Sequence, residues 1–246
     1  MSQELIFTAT YNEAENISDW IHGVAKARPD ARILIVDDSS PDGTGNVIAD
    51  LGPQFSQVTL VTRPGKNGLN TAHLFAMNYA LEHNFDVLVT MDADGSHLPD
   101  QIPSLIEVLN NSNVNFVIGT RTHGGTHQAK LTRRILSRGA NTVARVLLPM
   151  GVTEYTTSFR AFTRESLETL HKAEFTSAGY AFFIECMEIL HRNRISMAET
   201  PIDFMDRTNG ESKIPKSQIF SSMSALVLLS GERVFSRRKQ DDNASN

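Results

Sequence analysis

Two carboxylates separated by one small residue offer the clearest chemistry in this sequence. Asp92, Ala93 and Asp94 directly follow an apolar run at residues 87–91, and Gly95 ends the segment. An apolar run bounded by charged and turn residues is typical of a strand buried on both faces of a parallel sheet. Ligands of open α/β sheets bind beyond the carboxyl ends of such strands, and hard divalent cations prefer oxygen ligands. The pair therefore predicts a cation that in turn holds phosphates; the alternative is that both Asp residues only make turn hydrogen bonds.

The elements that must position this pair alternate regularly between strand and helix. Short apolar strands are predicted at residues 5–8, 33–36, 58–61, 87–91 and 115–119, with helices that carry apolar stripes between them. This alternation predicts an α/β fold with a doubly wound, mostly parallel sheet. Two familiar phosphate-binding arrangements are excluded. Residues 9–16 contain no glycine, which a Gly-x-Gly-x-x-Gly dinucleotide site requires, and residues 64–68 do not fit a P-loop.

A basic segment follows the predicted sheet strands. Its basic residues are interleaved with apolar ones, which predicts an amphipathic helix with a cationic flank. That flank is either a solvated surface or a site for an anionic group near a membrane surface. The basic residues are Lys130, Arg133, Arg134 and Arg138.

The last third of the chain predicts strands at residues 156–162 and 195–199 and a helix at residues 180–191. Residues 206–213 are polar and broken by a glycine, which predicts a mobile loop. Its Arg207 and Lys213 are suited to closing over phosphates. A final apolar helix is predicted at residues 217–235, and residues 236–246 read as a disordered tail. We expect residues 1–235 to form one domain.

The composition narrows the classes of partner. The chain has 246 residues, a net charge of −5 at pH 7 and 40% hydrophobic residues, which argues against nucleic acid as a partner. Its single cysteine, Cys186, excludes an internal disulfide. The N-terminal residues lack a signal peptide's basic start and long apolar region, and the late apolar run at residues 225–229 is too short to span a bilayer. We therefore expect a cytoplasmic protein.

Six motifs occur in the order seen in family 2 glycosyltransferases, and they resemble most closely the dolichyl- and polyprenyl-phosphate mannosyltransferases. The motifs lie at residues 11–13, 37–44, 92–94, 137–141, 158–160 and 206–213. The resemblance covers about residues 5–216. It implies a GT-A-like fold with a nucleotide-sugar-binding half at about residues 1–120 and an acceptor-side half at about residues 121–235.

The resemblance also implies a set of donor-binding residues spread over several strand ends. These are Ala9, Tyr11, Glu13, Val36, Asp38, Asp92, Ala93, Asp94, Arg121, Arg207 and Lys213. Asp92 and Asp94 would bind Mg²⁺ or Mn²⁺ together with the diphosphate of the donor. Asp94, Arg207 and Lys213 would act in catalysis.

For the acceptor, the resemblance implies that Arg133 and Ser137 face the phosphate of the lipid. The chain departs from the family's usual residues at five positions: Ala9 replaces Pro, Asn70 replaces Gly, His73 replaces Tyr, Glu154 replaces Asp and Thr157 replaces Gly. The histidines His73, His97 and His123 are interpreted as packing or surface residues, because hard cations prefer oxygen.

The implied reaction moves a hexose onto polyprenyl phosphate by direct displacement with inversion, and mannose from GDP-mannose is the candidate donor sugar. A phosphate monoester has a second pKa of about 6 and needs no strong base at neutral pH. A sugar hydroxyl does need one, and Glu154 is the candidate if the acceptor is instead a cell-surface glycan. A third possibility is a catalytically inactive subunit that only binds a nucleotide sugar. The presence of Asp92, Asp94 and Lys213 argues against it. Because a polyprenyl acceptor stays in the bilayer, we expect a peripheral protein on the cytoplasmic face, held by the lipid surface or by a membrane partner subunit.

Overall fold

The structure is a computed structural model, and it describes residues 2–128 and 131–206. The expectations for Lys130, Arg207, Lys213, the helix at residues 217–235 and the tail lie outside these residues. Within the described residues, no helix has both the length and the apolar character needed to cross a bilayer.

The described residues form strands and helices in alternation. The strands are β1 (Glu4–Thr10), β2 (Arg32–Asp37), β3 (Val58–Thr62), β4 (Val87–Thr90), β5 (Phe116–Thr120), β6 (Thr126–His127), β7 (Arg160–Thr163), β8 (Met197–Pro201) and β9 (Asp203–Phe204). The helices are α1 (Ile17–Ala27), α2 (Thr44–Leu51), α3 (Leu69–Glu82), α4 (Ile102–Asn111), α5 (Leu131–Leu147), α6 (Arg164–His171) and α7 (Tyr180–Arg192). A short 3₁₀ helix, Pro99–Gln101, precedes α4.

Seven of these strands form one sheet in the order β3-β2-β1-β4-β7-β5-β8. The pairs β1–β2, β2–β3, β1–β4 and β5–β8 are parallel, whereas β7 runs antiparallel to both β4 and β5. The predicted α/β fold with a mostly parallel, doubly wound sheet is therefore confirmed. The chain winds from β1 out to β3 and then returns to the other side of β1 as β4. The strand order thus reverses between β1 and β4, which is where ligands of such sheets bind.

Both faces of the sheet are covered by apolar side chains, because successive residues of a strand point to opposite faces. In β1, Leu5 and Phe7 pack with α3, α5 and α7, while Ile6 packs with α1 and α4. The apolar stripe of α1 at Ile17, Trp20, Ile21 and Val24 is buried there, as its helical spacing predicts. The sheet is therefore a rigid support for the polar groups at the carboxyl ends of its central strands.

The strand predicted at residues 156–162 begins later, since β7 starts at Arg160. The preceding segment instead wraps the Arg160 guanidinium, which is fully buried and donates to the carbonyls of Tyr155, Thr157 and Phe183 at 2.9, 2.8 and 2.7 Å. These backbone groups cannot also form a sheet ladder, so the segment is a loop. Neither α6 nor the two-residue strands β6 and β9 were predicted from the sequence.

Candidate functional site

The aspartate pair lies in the loop directly after β4, at the predicted edge of the sheet. Asp92 has a side chain that is 38% exposed, and its Oδ1 accepts a hydrogen bond from the Ser158 hydroxyl at 2.6 Å. Asp94 is buried, and its Oδ1 accepts from the Ser96 backbone N–H at 3.0 Å. Each carboxylate thus accepts a hydrogen bond that helps to orient it, and the two share one short loop.

His97 supports this loop from the protein interior. Its Nδ1 accepts a hydrogen bond from the Asp92 N–H at 3.0 Å, and its Nε2 lies 3.1 Å from the Thr157 hydroxyl. Because Nδ1 acts as an acceptor, the ring proton is on Nε2 and is donated to Thr157. Because His97 is buried and accepts the Asp92 N–H, it holds the backbone of Asp92 in place. Its interpretation as a packing residue is correct but incomplete.

The carboxylates fit a hard divalent cation of the Mg²⁺ or Mn²⁺ type. Such an ion is commonly held by one or two carboxylates together with substrate phosphates and water. Among the described residues, no group of three or more His, Cys, Asp and Glu side chains gathers to hold a metal. Asp92 and Asp94 would therefore need oxygen ligands from a bound diphosphate to complete the coordination.

The predicted nucleotide-binding residues meet at the ends of β1 and β2. Ala9 pairs in register with Val36, and the N–H of Asp38 donates to the Thr10 carbonyl at 3.1 Å. The sheet register therefore brings together Ala9, Val36 and Asp38, although they lie in separate parts of the sequence.

Asp38 is held by an arginine that the sequence did not single out. Arg63 Nε donates to Asp38 Oδ1 at 2.7 Å, and the Asn67 N–H donates to Oδ2 at 3.0 Å. Arg63 also donates to the Thr71 hydroxyl at 2.8 Å. The loop before α3 is thereby fastened to the end of β2. The sequence signal was weak, because Arg63 follows β3 without any surrounding motif.

The segment that carries Tyr11 and Glu13 is tied to the loop before α2. The backbone N–H groups of Asn12 and Glu13 donate to the hydroxyls of Ser40 and Thr44, both at 3.0 Å. Lys66 Nζ lies 4.2 Å above the centre of the Tyr11 ring, within the range of a cation–π contact. The two turn-rich segments therefore form one wall beside Asp38.

Arg121, at the end of β5, forms a buried ion pair with Glu154. Its Nε and Nη2 donate to Oε2 and Oε1 of Glu154 at 2.9 and 2.7 Å, and Asn141 Nδ2 donates to Oε1 at 2.8 Å. The Glu154 side chain is 0% exposed. Burial alone would raise its pKa, but the charge and hydrogen bonds of Arg121 dominate and lower the pKa to about 2. Glu154 is therefore ionised and fully engaged.

The loop that carries Glu154 is anchored by Glu199 on β8. Glu199 Oε1 accepts from the N–H groups of Thr153 and Glu154, both at 2.7 Å. Glu199 thus positions the backbone of Glu154, and the carboxylate of Glu154 in turn holds Arg121. None of these contacts is readable from spacing in the sequence.

Phe204 on β9 connects Arg121 to the aspartate loop. The Arg121 guanidinium carbon lies 4.9 Å from the centre of the Phe204 ring, and His97 and His127 contact the same ring with centroid distances of 5.3 and 5.1 Å. One residue later, the Met205 N–H donates to the Ser96 carbonyl at 3.0 Å. The described chain therefore ends beside the aspartate loop.

The predicted acceptor residues lie on α5. Ser137 precedes Asn141 by four residues, so both lie on one helix face, and Asn141 contacts Glu154. Arg133 is one further turn earlier on α5, and its side chain lies outside the described part. The structure thus brings α5 next to the Arg121–Glu154 pair.

The sequence of this chain is similar to those of a known protein family and of named proteins. The sequence model of Glycosyl transferase family 2 matches residues 5–170. Polyprenol monophosphomannose synthase of Mycolicibacterium smegmatis is 38% identical over 222 residues, covering 89% of this chain and 83% of that protein. Undecaprenyl-phosphate mannosyltransferase of Micrococcus luteus is 33% identical over 212 residues, covering 85% and 86% respectively.

Solved structures with similar folds include glucosyl-3-phosphoglycerate synthase of Mycobacterium tuberculosis in complex with Mn²⁺, UDP and glucosyl-3-phosphoglycerate. It superposes with a TM-score of 0.70 at 16% identity, covering 94% of this chain and 80% of that one. The same protein in complex with Mg²⁺ and UDP gives a TM-score of 0.68 at 16% identity. This likeness confirms the predicted GT-A-like fold.

Proposed function

The chain belongs to glycosyl transferase family 2, and on this premise we propose that it transfers mannose from a nucleotide sugar to polyprenyl phosphate. The names of both relatives point to a polyprenyl acceptor and to mannose. GDP-mannose is the donor we propose. The reaction is a direct displacement with inversion, in which an acceptor phosphate oxygen attacks the anomeric carbon and the nucleoside diphosphate leaves.

The ionisation of Glu154 is the observation that favours one acceptor over the other. A general base works best when its pKa lies near the operating pH, and a hydroxyl acceptor needs such a base. Glu154 has a pKa lowered to about 2, and both of its oxygens accept hydrogen bonds from Arg121. It is therefore a poor base. An acceptor phosphate with a second pKa of about 6 is largely ionised at neutral pH and needs none, which favours the phosphate over a glycan hydroxyl.

The donor would lie across the reversal of strand order between β1 and β4. We propose that its nucleoside contacts the wall made by Ala9, Tyr11, Glu13, Val36 and Asp38. Asp92, Ala93 and Asp94 would then lie next to the diphosphate. A bound Mg²⁺ or Mn²⁺ would supply positive charge to the leaving diphosphate.

Cationic side chains would complete the phosphate sites. We propose that Arg207 and Lys213 stabilise the leaving diphosphate and help to exclude water, since the described chain reaches the aspartate loop at Met205. Arg121, which Glu154 holds in place, would contribute positive electrostatic potential at the phosphate site. Arg133 and Ser137 on α5 would receive the acceptor phosphate.

We further propose that the protein works at the cytoplasmic membrane surface, because a polyprenyl chain stays in the bilayer. Residues 1–120 would form the nucleotide-sugar half of a single domain, and residues 121–235 the acceptor half. A radiochemical assay tests the proposed reaction. The protein is incubated with undecaprenyl phosphate in detergent and with labelled GDP-mannose, UDP-glucose or UDP-N-acetylglucosamine, and the lipid product is extracted. Labelled lipid from GDP-mannose alone supports the proposal, whereas labelled lipid from a UDP-sugar alone contradicts the mannose assignment.

A further inference from the structure

The hydroxyl of Ser158 contacts one of the two carboxylates of the proposed metal site. It donates to Asp92 Oδ1 at 2.6 Å, across 66 positions in the sequence. Ser158 is 5% exposed, whereas the Asp92 side chain is 38% exposed. Asp94, the second carboxylate, is buried. A buried donor therefore holds the more accessible of the two carboxylates from the protein side.

The backbone around Ser158 is itself held by two buried side chains. The hydroxyl of Thr90, the last residue of β4, donates to the Ser158 carbonyl at 2.5 Å. The Arg160 guanidinium donates to the carbonyls of Thr157 and Tyr155 at 2.8 and 2.9 Å. Both Thr90 and Arg160 are buried, so water does not compete for these bonds. The Ser158 hydroxyl is therefore in position before any ligand binds, which is how a supporting residue preorganises a site.

The contacts of Asp92 with its two supporting residues do not occupy its second oxygen. Oδ2 lies 3.7 Å from His97 Nδ1, which is longer than a hydrogen bond. Since Nδ1 already accepts the Asp92 N–H, it has no proton to donate to Oδ2. Ser158 thus fixes the carboxylate at Oδ1, and His97 fixes the backbone. Oδ2 is the oxygen that this arrangement leaves for a ligand.

We propose that Ser158 is a positioning residue for the divalent cation, because its hydroxyl fixes the direction of the Asp92 carboxylate. The inference rests on the proposed function, in which Asp92 binds a cation together with the diphosphate of the donor. Mg²⁺ in particular demands near-ideal octahedral geometry, so a carboxylate that rotates is a poorer ligand for it. Loss of a residue that hydrogen-bonds a metal ligand typically lowers metal affinity by about 10–100-fold. Ser158 thus raises the affinity for the cation without contacting either the cation or the donor.

Two other roles of the Ser158 hydroxyl predict different consequences of its removal. If its bond to Asp92 only stabilises the fold, its loss lowers the free energy of unfolding and leaves the response to metal unchanged. If the hydroxyl instead contacts the nucleotide, its loss weakens nucleotide binding even when no metal is present. Only a positioning role changes the metal response while nucleotide binding without metal stays the same.

Nucleotide binding across a range of Mn²⁺ concentrations tests the proposal with the full chain. Equilibrium dialysis measures the Kd of labelled GDP, and in parallel that of labelled UDP, first in EDTA and then as Mn²⁺ is increased. The Mn²⁺ concentration that gives half of the maximal increase in nucleotide affinity reports the affinity for the cation. We expect S158A to raise this concentration about tenfold and to leave the Kd in EDTA unchanged. A rise below about twofold, or a weaker Kd in EDTA, overturns the proposal.

S166A is the matched control. Ser166 is also buried, and its hydroxyl donates to the Thr163 carbonyl at 2.8 Å at the start of α6. S166A should therefore leave the half-maximal Mn²⁺ concentration unchanged, and a shift equal to that of S158A overturns the proposal. If S158A does not fold, S158C replaces it, because a thiol is a weak donor of similar size, and the same rise is expected.

The wild type separates this inference from the proposed function. Nucleotide binding by the wild type that does not respond to Mn²⁺ contradicts the metal in the proposed function, and the role of Ser158 falls with it. A normal Mn²⁺ response in both the wild type and S158A overturns the role of Ser158 alone.

Discussion

Replacement of Glu154 by glutamine gives the sharpest test of the acceptor-side architecture. The Glu154 pKa falls from an ordinary value of 4.5 to about 2, and one pKa unit corresponds to about 1.4 kcal/mol, so the folded state favours the ionised over the protonated carboxyl by about 3 kcal/mol. Removing one partner of a buried pair typically costs about 3–5 kcal/mol, because the other charge stays buried and unpaired. Only 8% of the Arg121 side chain is exposed. We expect E154Q to lower the free energy of unfolding at pH 7 by about 3 kcal/mol.

The pH dependence has a definite sign. Because the pKa of Glu154 is lower in the folded state, its contribution is complete above the unfolded pKa of about 4.5 and disappears as the pH falls through about 2. The difference between wild type and E154Q should therefore shrink between pH 5 and pH 2.

Urea unfolding followed by circular dichroism at several pH values measures both effects. E168Q is the control, because Glu168 forms an exposed pair with Arg164 at 3.1 Å and should contribute less than about 0.5 kcal/mol. A difference below about 0.5 kcal/mol for E154Q, or one that does not change with pH, would refute the buried pair. Glu154 would then again be a candidate base for a hydroxyl acceptor.

Three further predictions follow from single contacts. D94N should lower the transfer rate by about a hundredfold or more, because an amide is a weak ligand for a hard cation. Its circular dichroism spectrum should match that of the wild type, and full activity of the wild type in EDTA would contradict the prediction. T157V should lower the free energy of unfolding by about 1 kcal/mol, since the hydrogen bond between the Nε2–H of buried His97 and the Thr157 hydroxyl is lost; urea unfolding at wild-type stability would contradict it. G125A should lower the free energy of unfolding by about 1–3 kcal/mol in the same assay, because the added methyl group would lie 2.1 Å from the Thr120 carbonyl oxygen. G139A is the contrasting variant: a methyl group at Gly139 meets open space, so it should raise the free energy of unfolding by about 0.5–1 kcal/mol.

The sequence predicted the sheet and the position of the aspartate pair because both depend on local patterns. The apolar runs of β1, β2 and β4 are buried on both faces, so they read as strands without knowledge of their partners. Once the strands are known, residues that follow them must lie at the carboxyl edge. That reasoning placed Asp38, Asp92 and Asp94 correctly at strand ends.

The partners that orient these residues were not predictable, because they come from distant parts of the chain. His97 meets Thr157 across 60 positions in the sequence, and Arg121 meets Glu154 across 33. A lone histidine or glutamate has the same appearance in a sequence whether it is exposed or buried. The antiparallel direction of β7 was also unreadable, since an apolar run carries no sign of strand direction. The strands β6 and β9 have two residues each, too few to show a period.

The pH dependence of transfer to a phosphate and to a hydroxyl tests the central claim most directly. The value of kcat/KM is measured with labelled GDP-mannose for undecaprenyl phosphate and for undecaprenol, each in detergent, across the pH range. If the acceptor phosphate attacks without a protein base, kcat/KM for undecaprenyl phosphate rises with its ionisation near a pKa of about 6 and then stays level. Undecaprenol gives no product. Transfer to undecaprenol at a comparable rate, dependent on Glu154, would contradict the account.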